Sequence, residues 1–88
     1  MRTIRREAID KVVYGINLCP DYLTQWETII EGLVLLVRAD VDYWYILRSL
    51  EVDISDADGT TYDLSQEQFD YMWRELQAKL DELLTNAA

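Results

Sequence analysis

Apolar residues recur at helical spacing along the first stretch of the chain. Ile4, Ala8, Val12, Val13 and Ile16 fall on one face. Arg6 with Asp10 and Glu7 with Lys11 stand four positions apart on the other side. Thr3 is a candidate N-cap, Gly15 and Asn17 weaken the end, and Pro20 cannot continue a helix. Asp21 then offers an N-cap for a second helix over about residues 22–37. Leu23, Trp26, Ile30, Leu33 and Val37 make its stripe, Ile29 and Leu36 widen it, and Val34 and Leu35 carry it further round. A helix apolar on nearly all sides is either central to its domain or shared with a second subunit.

Two patterns compete in the next stretch. As a helix, Tyr43, Ile46, Leu47, Leu50 and Ile54 share a face; as a strand, Trp44, Ile46, Leu50, Val52 and Ile54 alternate, with Arg48 out of place. The predicted element is a helix over about 40–50, followed by a short extended piece at Leu50–Ile54. Ser55 to Thr61 is a turn marked by Asp58-Gly59, which closes a small β-hairpin if residues 52–54 pair with 60–62. The last helix is the clearest element. Ser65 and Gln68 form a capping box, and Phe69, Met72, Trp73, Leu76, Leu80, Leu83 and Leu84 give its stripe. The expected fold is mainly α, a single domain over 1–88 built as a bundle of three to four helices, with the short β-hairpin near 52–62 as an option.

Composition narrows the function classes. Half of the 88 residues are hydrophobic and ten are aromatic, which is too apolar for a disordered chain. With Cys19 alone, no internal disulfide forms, and a reducing, cytoplasmic setting is expected. Cys19 itself reads as a small packing residue rather than a reactive thiol. The basic start is not followed by a long apolar run, so no secretory signal is expected. The longest apolar stretch, Leu33–Val37, is far short of the roughly 20 residues a membrane helix needs.

The absence of histidine excludes Ser-His-Asp and Cys-His nucleophile systems. A single cysteine cannot build a common zinc site, and Gly15, Gly32 and Gly59 are too far apart for a phosphate loop. Asp53, Asp56 and Asp58 beside Gly59 suggest calcium, but the EF-hand register places Ile54 and Ser65 where Asp and Glu are needed. Glu27 and Glu31 are a carboxylate pair without a cleft to work in. No enzyme activity, cofactor or metal is expected.

The net charge is −9, and it is unevenly placed. Residues 1–11 carry four basic groups against two acidic ones, whereas between residues 40 and 63 seven acids face Arg48 alone. Direct nucleic-acid binding needs the opposite sign, and an anionic membrane is disfavoured likewise. The acids are Asp40, Asp42, Glu51, Asp53, Asp56, Asp58 and Asp63. Among them stand Tyr43, Trp44 and Tyr45, three consecutive rings that one buried face cannot accommodate. Aromatic anchors in an acidic rim predict a surface for a protein partner with a basic face. The candidate partner-binding residues are therefore Asp40, Asp42, Tyr43, Trp44, Tyr45, Glu51, Asp53, Asp56 and Asp58.

In size and charge the chain is similar to small acidic nuclease-immunity proteins and phage-encoded inhibitors, including anti-CRISPR proteins and DNA mimics. That likeness implies an inhibitor or adaptor docking on the nucleic-acid groove of another protein. The alternative is an assembly subunit, a homodimer or larger oligomer formed through Ile29, Leu33 and Leu36 of the apolar second segment.

Overall fold

A computed structural model describes residues 6–16, 18, 23–30 and 32–87. The expected N-caps Thr3 and Asp21, and also Cys19, Pro20 and Glu31, lie outside the described residues. The element order is α1 (Arg6–Gly15), β1 (Leu23–Ile30), β2 (Leu33–Val41), β3 (Leu47–Ser55), β4 (Thr61–Tyr62) and α2 (Gln66–Ala87). The four strands form one antiparallel sheet in the order β1-β2-β3-β4. The fold is therefore α+β, and the expected bundle of three to four helices is wrong.

The second predicted helix is a hairpin. Ile30 pairs with Leu33 across a two-residue connection, and Gly32 sits there at φ 79°, a conformation that favours glycine. The misleading signal was β2 itself. Leu33, Leu35, Val37, Ala39 and Val41 point into the core, while Val34 and Leu36 occupy the opposite face. A strand apolar on both faces reads as a helix apolar all round.

The helix expected over 40–50 is the end of β2, a loop and the start of β3. Arg48 broke the alternation because the β2–β3 register shifts between Asp40 and Val41. Asp40 pairs with Ser49 and Val41 with Leu47, so Arg48 and Ser49 both lie exposed between buried Leu47 and Leu50. The hairpin near 52–62 is present as the last turn of the sheet, with Ile54 opposite Tyr62 and Ser55 opposite Thr61.

Both helices cover one face of this sheet. Ala8, Ile9, Val12 and Val13 of α1 and Met72, Leu76 and Leu80 of α2 join the inward residues of β2 and β3 in one core. Ser65 caps α2: its hydroxyl accepts from the Gln68 amide at 3.1 Å, and the Gln68 side chain accepts from the Ser65 amide at 3.3 Å.

The helices are tied to each other at both ends of α1. The Tyr71 hydroxyl donates to Asp10 at 2.5 Å, and Arg6 lies 4.7 Å from the centre of the Tyr71 ring. At the other end the Lys79 ammonium donates to the carbonyls of Val13 (3.0 Å), Tyr14 (3.2 Å) and Ile16. A cation there complements the carbonyl end of the helix, where the Val13 carbonyl also accepts from the Ile16 amide at 3.3 Å. Burial pushes the Lys79 amine below its ordinary pKa. Gly15 ends α1 where a Cβ would come within 2.7 Å of the Trp26 ring, so the absent side chain lets β1 approach the helix.

Candidate protein-binding surface

With both helices on one side, the sheet has a second face open to solvent. Strand alternation places Gln25, Glu27 and Ile29 of β1 there, with Val34, Leu36, Arg38 and Asp40 of β2 and Ser49, Glu51, Asp53 and Ser55 of β3. The pairing arranges them in rows. Ile29 lies opposite Val34, and Val34 opposite Ser55. In the next row Leu36 stands between Glu27 and Asp53, and beyond it Arg38 stands between Gln25 and Glu51. Ile29 is 71% exposed, a large value for an isoleucine on a paired strand. Val34 and Leu36 are half-buried and floor a shallow depression walled by Glu27, Asp53, Ser55 and Thr61.

Among the described residues, Glu27, Asp40, Glu51 and Asp53 are answered on this face by Arg38 alone, a net of −3. The Arg38 guanidinium lies 3.6 Å from both Glu51 and Asp53. At that separation and exposure the ion pairs add little stability, and the surface stays acidic.

Tyr43 and Trp44 stand at one end of the sheet, 74% and 77% exposed. Their loop is held by Asp42. The amides of Trp44 and Ile46 donate to one of its carboxylate oxygens at 2.9 and 3.0 Å, and Arg48 donates to the other at 2.7 Å. Partial burial pushes the Asp42 carboxyl up, but the Ile46 amide, the Arg48 guanidinium and the Trp44 amide outweigh it and hold the pKa below its ordinary value. Tyr45 takes φ 60° and packs half-buried against the core. Its carbonyl accepts from Gln77 of α2 at 2.9 Å, and the same side chain accepts from the Leu47 amide at 2.9 Å. Tyr43 and Trp44 are thus displayed on a braced loop.

The nine partner-binding candidates do not form one patch. Asp40, Glu51 and Asp53 share the open face. Asp42, Tyr43, Trp44 and Tyr45 form the loop at one end of β3, and Asp56 and Asp58 form the turn at its other end. Nine residues of strand separate the two ends by roughly 30 Å. Asp56 is occupied by its own turn, accepting from the amides of Asp58 and Thr60 and from the Tyr62 hydroxyl. No group of three or more metal-ligating side chains occurs among the described residues.

The self-association set also divides. Leu33 is buried in the core, while Ile29 and Leu36 share the open face. Reading the sequence as helical missed Val34 and Arg38 as part of this surface, and placed Glu27 with Glu31 rather than across from Leu36. The available signal was the alternation of Val34 and Leu36 against Leu33, Leu35 and Val37. No helix among the described residues is long and apolar enough to cross a membrane. No protein-family model, curated protein or solved structure matches the chain.

Proposed function

We propose that this protein acts in the cytoplasm, without catalysis, by docking the open face of its sheet and the Tyr43–Trp44 loop on a basic surface of a partner protein. The observation that carries the reading is the open face itself. Ile29, Val34 and Leu36 form an apolar strip among four carboxylates and one guanidinium. Such a strip supplies desolvation energy, and the acidic rim supplies steering and selectivity. Tyr43 and Trp44, exposed at the opposite end of the sheet from Ile29 and Val34, are the residue types that dominate binding energy at interfaces.

An inhibitor or adaptor of a nucleic-acid-binding protein fits this chemistry, since such partners carry basic grooves. The DNA-mimic form is not carried forward, because the side chains of Asp42 and Asp56 turn into their own loops. Neither is assembly through an apolar helix, because that segment is two strands and Leu33 is internal.

The test is capture of a partner from lysate by the immobilised chain, repeated with Trp44→Ala and Ile29→Arg. Both side chains are largely exposed, so folding should survive, as circular dichroism would check. Capture that falls with rising salt and with either substitution supports the reading. Capture indifferent to salt and to both substitutions overturns it.

A further inference from the structure

The sheet has two edges, and they are finished differently. At the β3 edge, β4 covers Ile54 and Ser55, the bulge between Asp40 and Val41 bends the pairing, and Gln77 takes up the Leu47 amide. Arg48, Glu51 and Asp53 add charge along the same strand. These are the devices by which proteins keep an edge from pairing with another chain.

Among the described residues the β1 edge shows only one of them, a single charge. Its eight residues, Leu23 to Ile30, pair with β2 in continuous register, with no bulge, proline or lysine and with Glu27 as the sole charge. No described strand pairs with its outer side. The inward row is also incompletely covered. Trp26, Thr28 and Ile30 remain half-buried, while their partners Val37, Leu35 and Leu33 are 2% exposed or less.

We infer that β1 accepts an extended segment of the partner protein as a fifth strand, and that this segment alternates apolar with basic residues. Its apolar side chains would lie beside Trp26, Thr28 and Ile30 and complete the inner row. Its lysines or arginines would lie on the open face beside Glu27, in the field of Asp40, Glu51 and Asp53. A second copy of the chain is the wrong occupant, because it would bring its own Glu27 and a net charge of −9 against the same edge. The inference rests on the basic-partner reading above and adds the mode of binding.

The test uses the full chain and three synthetic eight-residue peptides. One alternates arginine and valine, the second is the same peptide N-methylated at every residue, and the third has all its arginines before its valines. Binding is measured by calorimetric titration, and protection of backbone amides by NMR hydrogen exchange. The alternating peptide should bind and protect alternate β1 amides. N-methylation should weaken binding by at least roughly tenfold, the loss of one or more backbone hydrogen bonds. Block order keeps those bonds but puts half of the valines on the open face and half of the arginines on the inner row, and should also weaken binding by roughly tenfold. Glu27→Lys should weaken the alternating peptide by about two- to fivefold with an unchanged NMR fold.

Equal binding of all three peptides would mean charge contact across the open face; strand addition would fall and the docking reading would stand. No binding of any arginine peptide would overturn both. Dimers of the chain that the peptide dissociates would make a second copy the occupant and overturn the inference.

Discussion

The turns at the two ends of β3 have the same construction. In each, an aspartate opens a five-residue turn, Asp42 to Ile46 and Asp56 to Thr60. Its amide donates to the carbonyl four residues on, at 3.1 and 3.0 Å, and its carbonyl accepts from the amide three residues on, at 3.0 and 3.1 Å. One carboxylate oxygen accepts the amides two and four residues on. The other accepts a side-chain donor six residues on, Arg48 in one turn and Tyr62 in the other. The fourth position has positive φ in both, 60° at Tyr45 and 84° at Gly59.

The difference lies in that fourth residue. Glycine takes this conformation at no steric cost, whereas tyrosine is strained there by roughly 1–2 kcal/mol. One turn closes a hairpin in the ordinary way. The other holds a tyrosine against its preference, and the ring it keeps is packed on the core. Backbone strain of this kind collects at functional sites.

The comparison can be broken most directly at the aspartates. Asp42→Ala is expected to lower the melting temperature by several degrees, and by more than Asp56→Ala, because only the first turn must hold a strained residue; equal losses by thermal denaturation would remove the distinction. Next in size is Gly59→Ala. No atom lies within 4 Å of the added methyl, so its cost of about 1–2 kcal/mol in urea unfolding would be backbone conformation alone.

Tyr45→Gly and Tyr45→Ala both remove the ring and differ only in the backbone. The glycine variant should therefore be the more stable by about 1 kcal/mol. A pair of equal stability would show that Tyr45 carries no strain.

The acid limb gives a subtler measurement. Asp42 is held below its ordinary value of 3.8. Its stabilisation is therefore complete above that value and is lost as pH falls through the lower, folded one. Asp42→Asn should flatten this part of the stability–pH profile, and carboxyl-carbon NMR should show Asp42 titrating below 3.8. The smallest effects belong to Arg48→Ala and Tyr62→Phe, each under about 1 kcal/mol. Arg48 is largely exposed, and the tyrosine hydroxyl's bond to Asp56 is partly open to solvent.

The same contrast explains what the sequence could reveal. Asp58-Gly59 announced its turn because glycine is the usual occupant of a positive φ. Asp42 to Ile46 gave no such sign, since Tyr45 hides the turn and the surrounding apolar residues fit helical spacing. The end helices were legible because one face of each is buried and the other is polar, and because Ser65 and Gln68 mark a start. The central strands were not, because Val34 and Leu36 are apolar on the open face and erase the alternation. For the candidate surface, chain proximity grouped acids that the fold separates. Asp42 and Asp56 went into turns, and the open face instead joined Asp40, Glu51 and Asp53 with Glu27 from another strand. That grouping depends on strand pairing, which the order of residues alone does not state.

The ties between α1 and α2 bear on how the chain assembles. Every strand pairing joins neighbours in sequence, across a two-residue connection or a five-residue turn. The bonds of Tyr71 to Asp10 and of Lys79 to the end of α1 instead span 61 to 66 positions. Contacts between distant residues carry the largest loop-closure cost and form late. The meander with α2 is thus expected to form first and α1 to dock last. In native-state hydrogen exchange, α1 would be the first element to open, and β2 the last.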